Sequence, residues 1–284
     1  MIKTNKVLES LSIPTKGVIY DLGSGWFNGM PVHQAHPQFQ IMNYRTPHGL
    51  LHELDMEFLK PEDNVLSFAW ATENISTSMH AGTHIDALCH TLTGKPSTFY
   101  GDKKVMDYYS DFGIQAEDAS EIPNIVTRAV LLDVPKAYGL ESLPPHFSIG
   151  PEELEFTRAK FDINIGENEI IIVRTGQMKY WPDKEKMKSC EGAGISIDGA
   201  KWLERYSPIA IGGDTETIEV SPSGIQGNPQ PCHVFLIREN GIHMIEFINC
   251  EELSKDEQYT FLFVLLPLSI KGATGSIVNP IAIV

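Results

Sequence analysis

Short runs of apolar and β-branched residues recur along the chain at 17–21, 65–69, 129–134, 169–174, 208–212, 242–248, 260–266 and 277–284, each bounded by turn-forming residues. Runs of this length and content predict strands. Helical signals are strongest at 151–161, where Pro151 stands at the start and Glu152 and Glu153 fill the first turn, and at 197–206 behind a Ser196 cap. Strands outnumber helices, and both helices precede a strand. The pattern predicts a single mixed α/β domain over 1–284, with helices packed against a mixed, largely antiparallel sheet.

Composition narrows the setting. With 284 residues and 42% hydrophobic content the chain can bury a full core, and no apolar run approaches the length of a membrane span. The first ten residues lack the apolar stretch of a secretory signal, and Cys89, Cys190, Cys232 and Cys250 show no Cys-x-x-Cys spacing, so a reducing cytoplasm is expected. The formal charge of −15, without a basic cluster, argues against nucleic acid or an anionic membrane as partner and for a small-molecule substrate. Apolar residues crowd 261–268 and 277–284, strands that must be either central to the sheet or covered by another subunit. A homodimer or homotetramer is expected.

The densest group of metal-ligand side chains lies at His80-Ala-Gly-Thr-His84-Ile-Asp86-Ala-Leu-Cys-His90. On a helix, Asp86 would point about 160° away from His84, given roughly 100° per residue. On an extended segment His80, His84, Asp86 and His90 share parity and face one side, with Gly82 and Thr83 allowing a bend that draws His80 inward. Two imidazoles and a carboxylate leave coordination positions open, as a catalytic centre requires, and suit Zn²⁺ or Mn²⁺.

The pattern His-x-Gly-Thr-His-x-Asp-x-x-x-His resembles the signature of the metal-dependent cyclase family, which includes kynurenine formamidases and isatin hydrolases. Tyr20-Asp21-Leu22 with Gly29-Met30-Pro31, Arg174-Thr175-Gly176, and Gly212-Gly213-Asp214-Thr215 through Ile218-Glu219 are similar to further family segments. The resemblance implies a swivelling β/β/α fold and a hydrolase of non-peptide amides, linear or cyclic. It also implies that His233 and Glu246 complete a second metal position, so that one or two ions are held. The chain departs from the pattern at Ala87 and Leu88, where formamidases carry Pro two residues after the Asp, and at Gln177, where Trp often follows Arg-Thr-Gly.

The residues themselves suggest a chemistry. A divalent ion on His80, His84 and Asp86 would generate hydroxide near neutral pH and polarise a carbonyl. His90, on the same face, is suited to deliver the proton an amide nitrogen needs on leaving, with a ligand role as its alternative. Trp26, Phe27 and Met30 are candidates to line an apolar substrate pocket, with core packing as the competing reading. His33, His36, His48 and His52 are irregularly spaced and read as exposed loop residues. Asp214 reads equally as a turn cap or a catalytic group. Ring closure or dehydration, ester or lactone hydrolysis, and a non-catalytic metal-binding scaffold are the alternatives to amide hydrolysis. No nucleotide-binding loop or nucleophile elbow is present in the sequence.

Overall fold

Alternation within two central runs decides the architecture. Ala129, Leu131, Ile170 and Ile172 pack into one apolar core, while Val130, Leu132, Ile171 and Val173 pack into a second. Strands apolar on both sides belong in a sheet covered on both faces. The computed structural model describes residues 4–284, so the first three residues of the expected 1–284 domain, and of the segment read for a signal, lie outside the described residues.

The strands that matter for the site are β1 (Ile19–Asp21), β2 (Gln40–Arg45), β3 (Thr72–Ser76), β4 (His84–Asp86), β5 (Ile125–Asp133), β6 (Ile170–Arg174), β7 (Ala210–Gly213), β8 (His243–Glu246), β9 (Thr260–Leu265), β10 (Gly275–Ile277) and β11 (Ile281–Ile283). Nine of them form one sheet in the order β1-β11-β9-β5-β6-β7-β8-β4-β10, and β2 and β3 form a separate antiparallel pair. The four central strands β5, β6, β7 and β8 are parallel, and every other pairing in the large sheet is antiparallel. The sheet is therefore mixed and largely antiparallel, as the pattern predicts.

Two helices cross between parallel strands and cover the second core with Leu154, Trp202 and Leu203. The first, α1 (Pro151–Lys160), begins with Pro at its first position and closes its start through Gly150 N donating to Glu153 Oε2 at 2.8 Å. The second, α2 (Ile197–Glu204), is capped by Ser196, whose Oγ accepts from Gly199 N at 3.1 Å.

Two expected strands need correction. Residues 65–69 form a loop, with Val65 and Leu66 exposed and Ser67 at φ 51. Asn64 makes this loop by accepting from Phe68 N and donating to Phe68 O, which takes the hydrogen bonds a ladder would use. Of the run 277–284 only Ile281–Ile283 forms a strand of its own, β11; Ile277 ends β10, Pro280, which has no N–H to give a ladder, stands between, and the two strands sit in distant parts of the sheet. β9 and β11 are both internal to the sheet, while Leu266 and Leu268 beyond β9 are exposed. No helix among the described residues is long and apolar enough to cross a membrane. All four cysteines are free and buried.

Candidate metal centre

Strand register gathers the donors. In the antiparallel pairing of β8 with β4, Glu246 stands opposite His84 and Ile245 opposite Ile85. Ile85 and Ile245 turn into the first core, so His84, Asp86 and Glu246 project from the other face. On the far side β10 places Gly275 opposite Asp86, where a Cβ would come within 2.8 Å of His80 Cε1. A residue with a side chain there would collide with the first histidine of the motif.

The segment from His80 to His90 is not one extended strand. Only His84 to Asp86 is β, because Gly82 takes φ 63 before it and His90 N donates to Ala87 O in a turn after it. Gly82 is required twice over: a Cβ would meet Ser24 Oγ at 2.7 Å, Trp26 Nε1 at 2.9 Å and Met30 Cε at 3.0 Å. The bend brings His80 Nδ1 to 2.9 Å from Asp86 Oδ1. His233, which precedes a π-helical turn at Val234–Glu239, enters from the other side with Nε2 at 3.2 Å from Glu246 Oε1 and 3.9 Å from Asp86 Oδ2.

Each imidazole is held by its outer edge. His84 Nδ1 lies 2.8 Å from the Gly82 carbonyl, which can only accept, so Nδ1 carries a hydrogen and the ring turns its Nε2 edge inward. Nε2 faces Glu246 Oε2 at 3.2 Å and Asp86 Oδ1 at 3.6 Å. His80 Nε2 pairs with Thr274 Oγ1 at 2.9 Å, and His233 Nδ1 pairs with Glu219. Outer partners of this kind orient metal-binding imidazoles. Within the ring of donors, His84 Nε2, both Asp86 oxygens and Glu246 Oε1 are buried without a hydrogen-bond partner among the described residues. Buried polar atoms that face one another unpaired are costly unless a proton or a metal ion stands between them.

Charge in the cluster tells the same story. Burial opposes charging of His84 and His233, yet Glu246 and Asp86, with Glu219 on His233, push their pKa values up to about 9 and about 10. Burial would also protonate Asp86, but the surrounding imidazoles hold its carboxyl well below the usual range. Glu246 is likewise lowered against burial by His233 and His84. The centre seeks positive charge, which a divalent ion supplies with donors of the right kind. Donor atoms of His80, His84 and Asp86 lie within 4.8 Å of one another, as do those of Asp86, His90 and His233, so Asp86 belongs to both groups.

His90 stacks on His80 with ring centroids 4.1 Å apart and lies 6.3 Å from the His233 ring. Burial pushes its pKa down to about 4, leaving a neutral ring at pH 7. The reading of the remaining histidines as exposed loop residues holds for His52; His48 is exposed but stands in a short helix, Pro47–Leu51, His36 stacks on His80 at 5.4 Å, and His33 lines the large cavity described below. Their irregular spacing hid this, since a loop places side chains without periodicity. Glu219 and Thr274 were also missed as orienting groups; each lies far from the motif in sequence and carries no local signal.

Asp214 is a structural clamp. Fully buried, it accepts from Thr175 N and Gly176 N at 2.7 Å, Gln177 N at 3.1 Å and Thr175 Oγ1 at 2.9 Å, tying the Arg174-Thr175-Gly176 corner to the end of β7. Trp26 donates Nε1 to Ala81 O at 2.7 Å, and Met30 is fully buried with Phe39 and Ala81, so both brace the Gly82 bend. Phe27 is 39% exposed and meets Trp181 edge to face. Beside the donors lies a cavity of about 780 Å³ whose walls include His33, Gln177, Thr215, Glu216 and Glu219.

A mixed α/β fold with a buried His and carboxylate cluster at a sheet edge defines the class. The Cyclase family model matches residues 20–220, and the chain belongs to that family. It is 22% identical over 210 residues to the isatin hydrolase of Roseibium aggregatum, covering 72% of each chain. Among solved structures it is similar to a novel cyclase, with a TM-score of 0.86 and 23% identity over 100% of this chain and 94% of the other. Isatin hydrolase A from Labrenzia aggregata, bound to benzyl benzoate, gives 0.66 and 20% identity over 98% and 97%. These likenesses place the fold in the cyclase family.

Proposed function

We propose that the protein is a metal-dependent hydrolase that opens a non-peptide amide bond, linear or cyclic, in a small substrate. One observation carries the reading: His84 Nε2 and the carboxylates of Asp86 and Glu246 converge in one buried cluster, an arrangement that calls for positive charge between them. The isatin hydrolase relative supports hydrolysis as the class of reaction. Zn²⁺ or Mn²⁺, as one ion or two, fits a set of imidazole and carboxylate donors. Such an ion supplies Lewis acidity to a carbonyl and hydroxide near neutral pH.

The chain's own residues have distinct tasks. His80, His84 and Asp86 would hold the ion, and His233 and Glu246 would add donors to it. His90, neutral at pH 7, takes a proton from the attacking water and returns it to the departing nitrogen, which leaves as an amine while the carbonyl carbon becomes a carboxylic acid. His84, Asp86 and Glu246 are themselves buried, and the exclusion of water around them keeps these charges strong. Turnover of a panel of lactams, N-formyl amines and esters by metal-loaded protein tests the reading. It stands if amides or lactams are hydrolysed, and falls if esters alone are cleaved or rings are only closed.

A further inference from the structure

The large cavity holds polar groups that the centre does not use. Gln177 and Thr215 line it, and both are more than nine-tenths buried. Gln177 Oε1 and Thr215 Oγ1 have no hydrogen-bond partner among the described residues. Backbone ties hold both in place: Gln177 N donates to Asp214 Oδ2, and Thr215 O accepts from Phe247 N at 3.1 Å, one residue beyond Glu246. Glu219, which orients His233, lines the same cavity, so a molecule lying there reaches from Gln177 toward the metal donors.

The orphaned Gln177 Oε1 accepts, and the orphaned Thr215 hydroxyl can donate or accept. Their complement is a group that offers both a donor and an acceptor. The lining carries the carboxylates Glu191, Glu216 and Glu219 against two imidazoles, His33 and His146, while Lys184 and Lys188 line a smaller adjoining cavity of about 230 Å³ that shares Gln177, Glu191 and Glu216 with it. A carboxylate there would present only acceptors to Gln177 Oε1, beside the carboxylates of Glu191 and Glu216.

We infer that Gln177 and Thr215 are specificity-determining residues that bind a neutral carboxamide or imide group of the substrate, and select it over a carboxylate. The inference rests on the hydrolase reading for its biological meaning, yet its test needs binding alone. A site built to hydrogen-bond such a group rejects analogues lacking it, because its buried polar atoms are then left unpaired. Neither residue holds the ion, so metal content is independent of both.

Titration calorimetry on zinc-loaded protein with benzamide and with benzoate is the test, comparing wild type with Gln177→Leu and Thr215→Val. Benzamide should bind the wild type more tightly than benzoate, and each substitution should weaken benzamide about tenfold, the scale of one hydrogen bond, while shifting benzoate less than about twofold. Zinc content should be unchanged in both variants. The assignment is overturned if benzamide fails to bind the wild type, if benzoate binds more tightly, if both probes weaken equally or neither does, or if the variants lose zinc. Loss of the hydrolase reading would appear instead in turnover assays, with the benzamide result intact.

Discussion

Glu246 stands opposite His84 across the β8 and β4 pairing, with Oε2 3.2 Å from His84 Nε2, while its Oε1 lies 3.2 Å from His233 Nε2. One carboxylate thus joins two imidazoles that come from distant parts of the chain. Glu246→Gln keeps the shape but removes the charge. Metal affinity should fall about 10- to 100-fold, the range for groups that support a metal site, measured by competition with a chelator of known affinity. Unchanged affinity would remove Glu246 from the centre.

His90→Asn should retain metal and lower kcat by about 10² to 10⁴, the usual scale of general acid and base catalysis. Substrates with better leaving groups should recover much of the loss, since they need less protonation as the bond breaks. Loss of metal in the variant, or equal losses for good and poor leaving groups, would make His90 a ligand.

Asp214→Asn turns an amide NH₂ toward backbone N–H groups of Thr175, Gly176 and Gln177 that now donate to carboxylate oxygens. Leaving buried donors unsatisfied costs about 1–3 kcal/mol. Thermal unfolding should shift down by several degrees, and metal content of the folded protein should hold. A variant that keeps its stability but loses turnover would make Asp214 a catalytic group.

A fourth prediction concerns pH and is independent of the metal. Asp118, fully buried by surface area, accepts from Ser120 N, Gly272 N and Lys271 Nζ, each at 2.9 Å. Burial would raise its pKa, but these partners outweigh it and the carboxyl is held below its ordinary value. Its contribution to stability is therefore full above the ordinary carboxylate range and is lost as pH falls through the lowered folded-state pKa. Asp118→Asn should unfold at a lower temperature than wild type at pH 7, and the gap should close as pH falls below about 4. A gap that persists at low pH would contradict the ion pair's role.

Part of this centre is legible in the sequence. His84 and Asp86 share strand parity and Gly82 permits a bend, so the core of the donor set follows from spacing alone. His233 and Glu246 do not: only the register of β8 on β4 and the turn before Val234 bring them in, and family resemblance supplied them. His36 escaped because loop geometry has no period to read. The strand expected at 65–69 failed because Asn64 offers the backbone a local alternative, and the run at 277–284 failed to stay whole because apolar content concealed the break at Pro280. The central strands were read correctly because burial on both faces leaves a continuous apolar run that no local hydrogen bond interrupts.

The central claim is that His80, His84 and Asp86 hold a divalent ion on which turnover depends. Metal stoichiometry by elemental analysis, with turnover of the amide and lactam panel, should be compared for wild type, His84→Ala and Asp86→Ala after exposure to Zn²⁺ or Mn²⁺ and dialysis. The account predicts at least one ion per chain in the wild type, with little metal and almost no activity in either variant while both remain folded. Metal retained in Asp86→Ala, or turnover by wild type stripped of its metal, would contradict it.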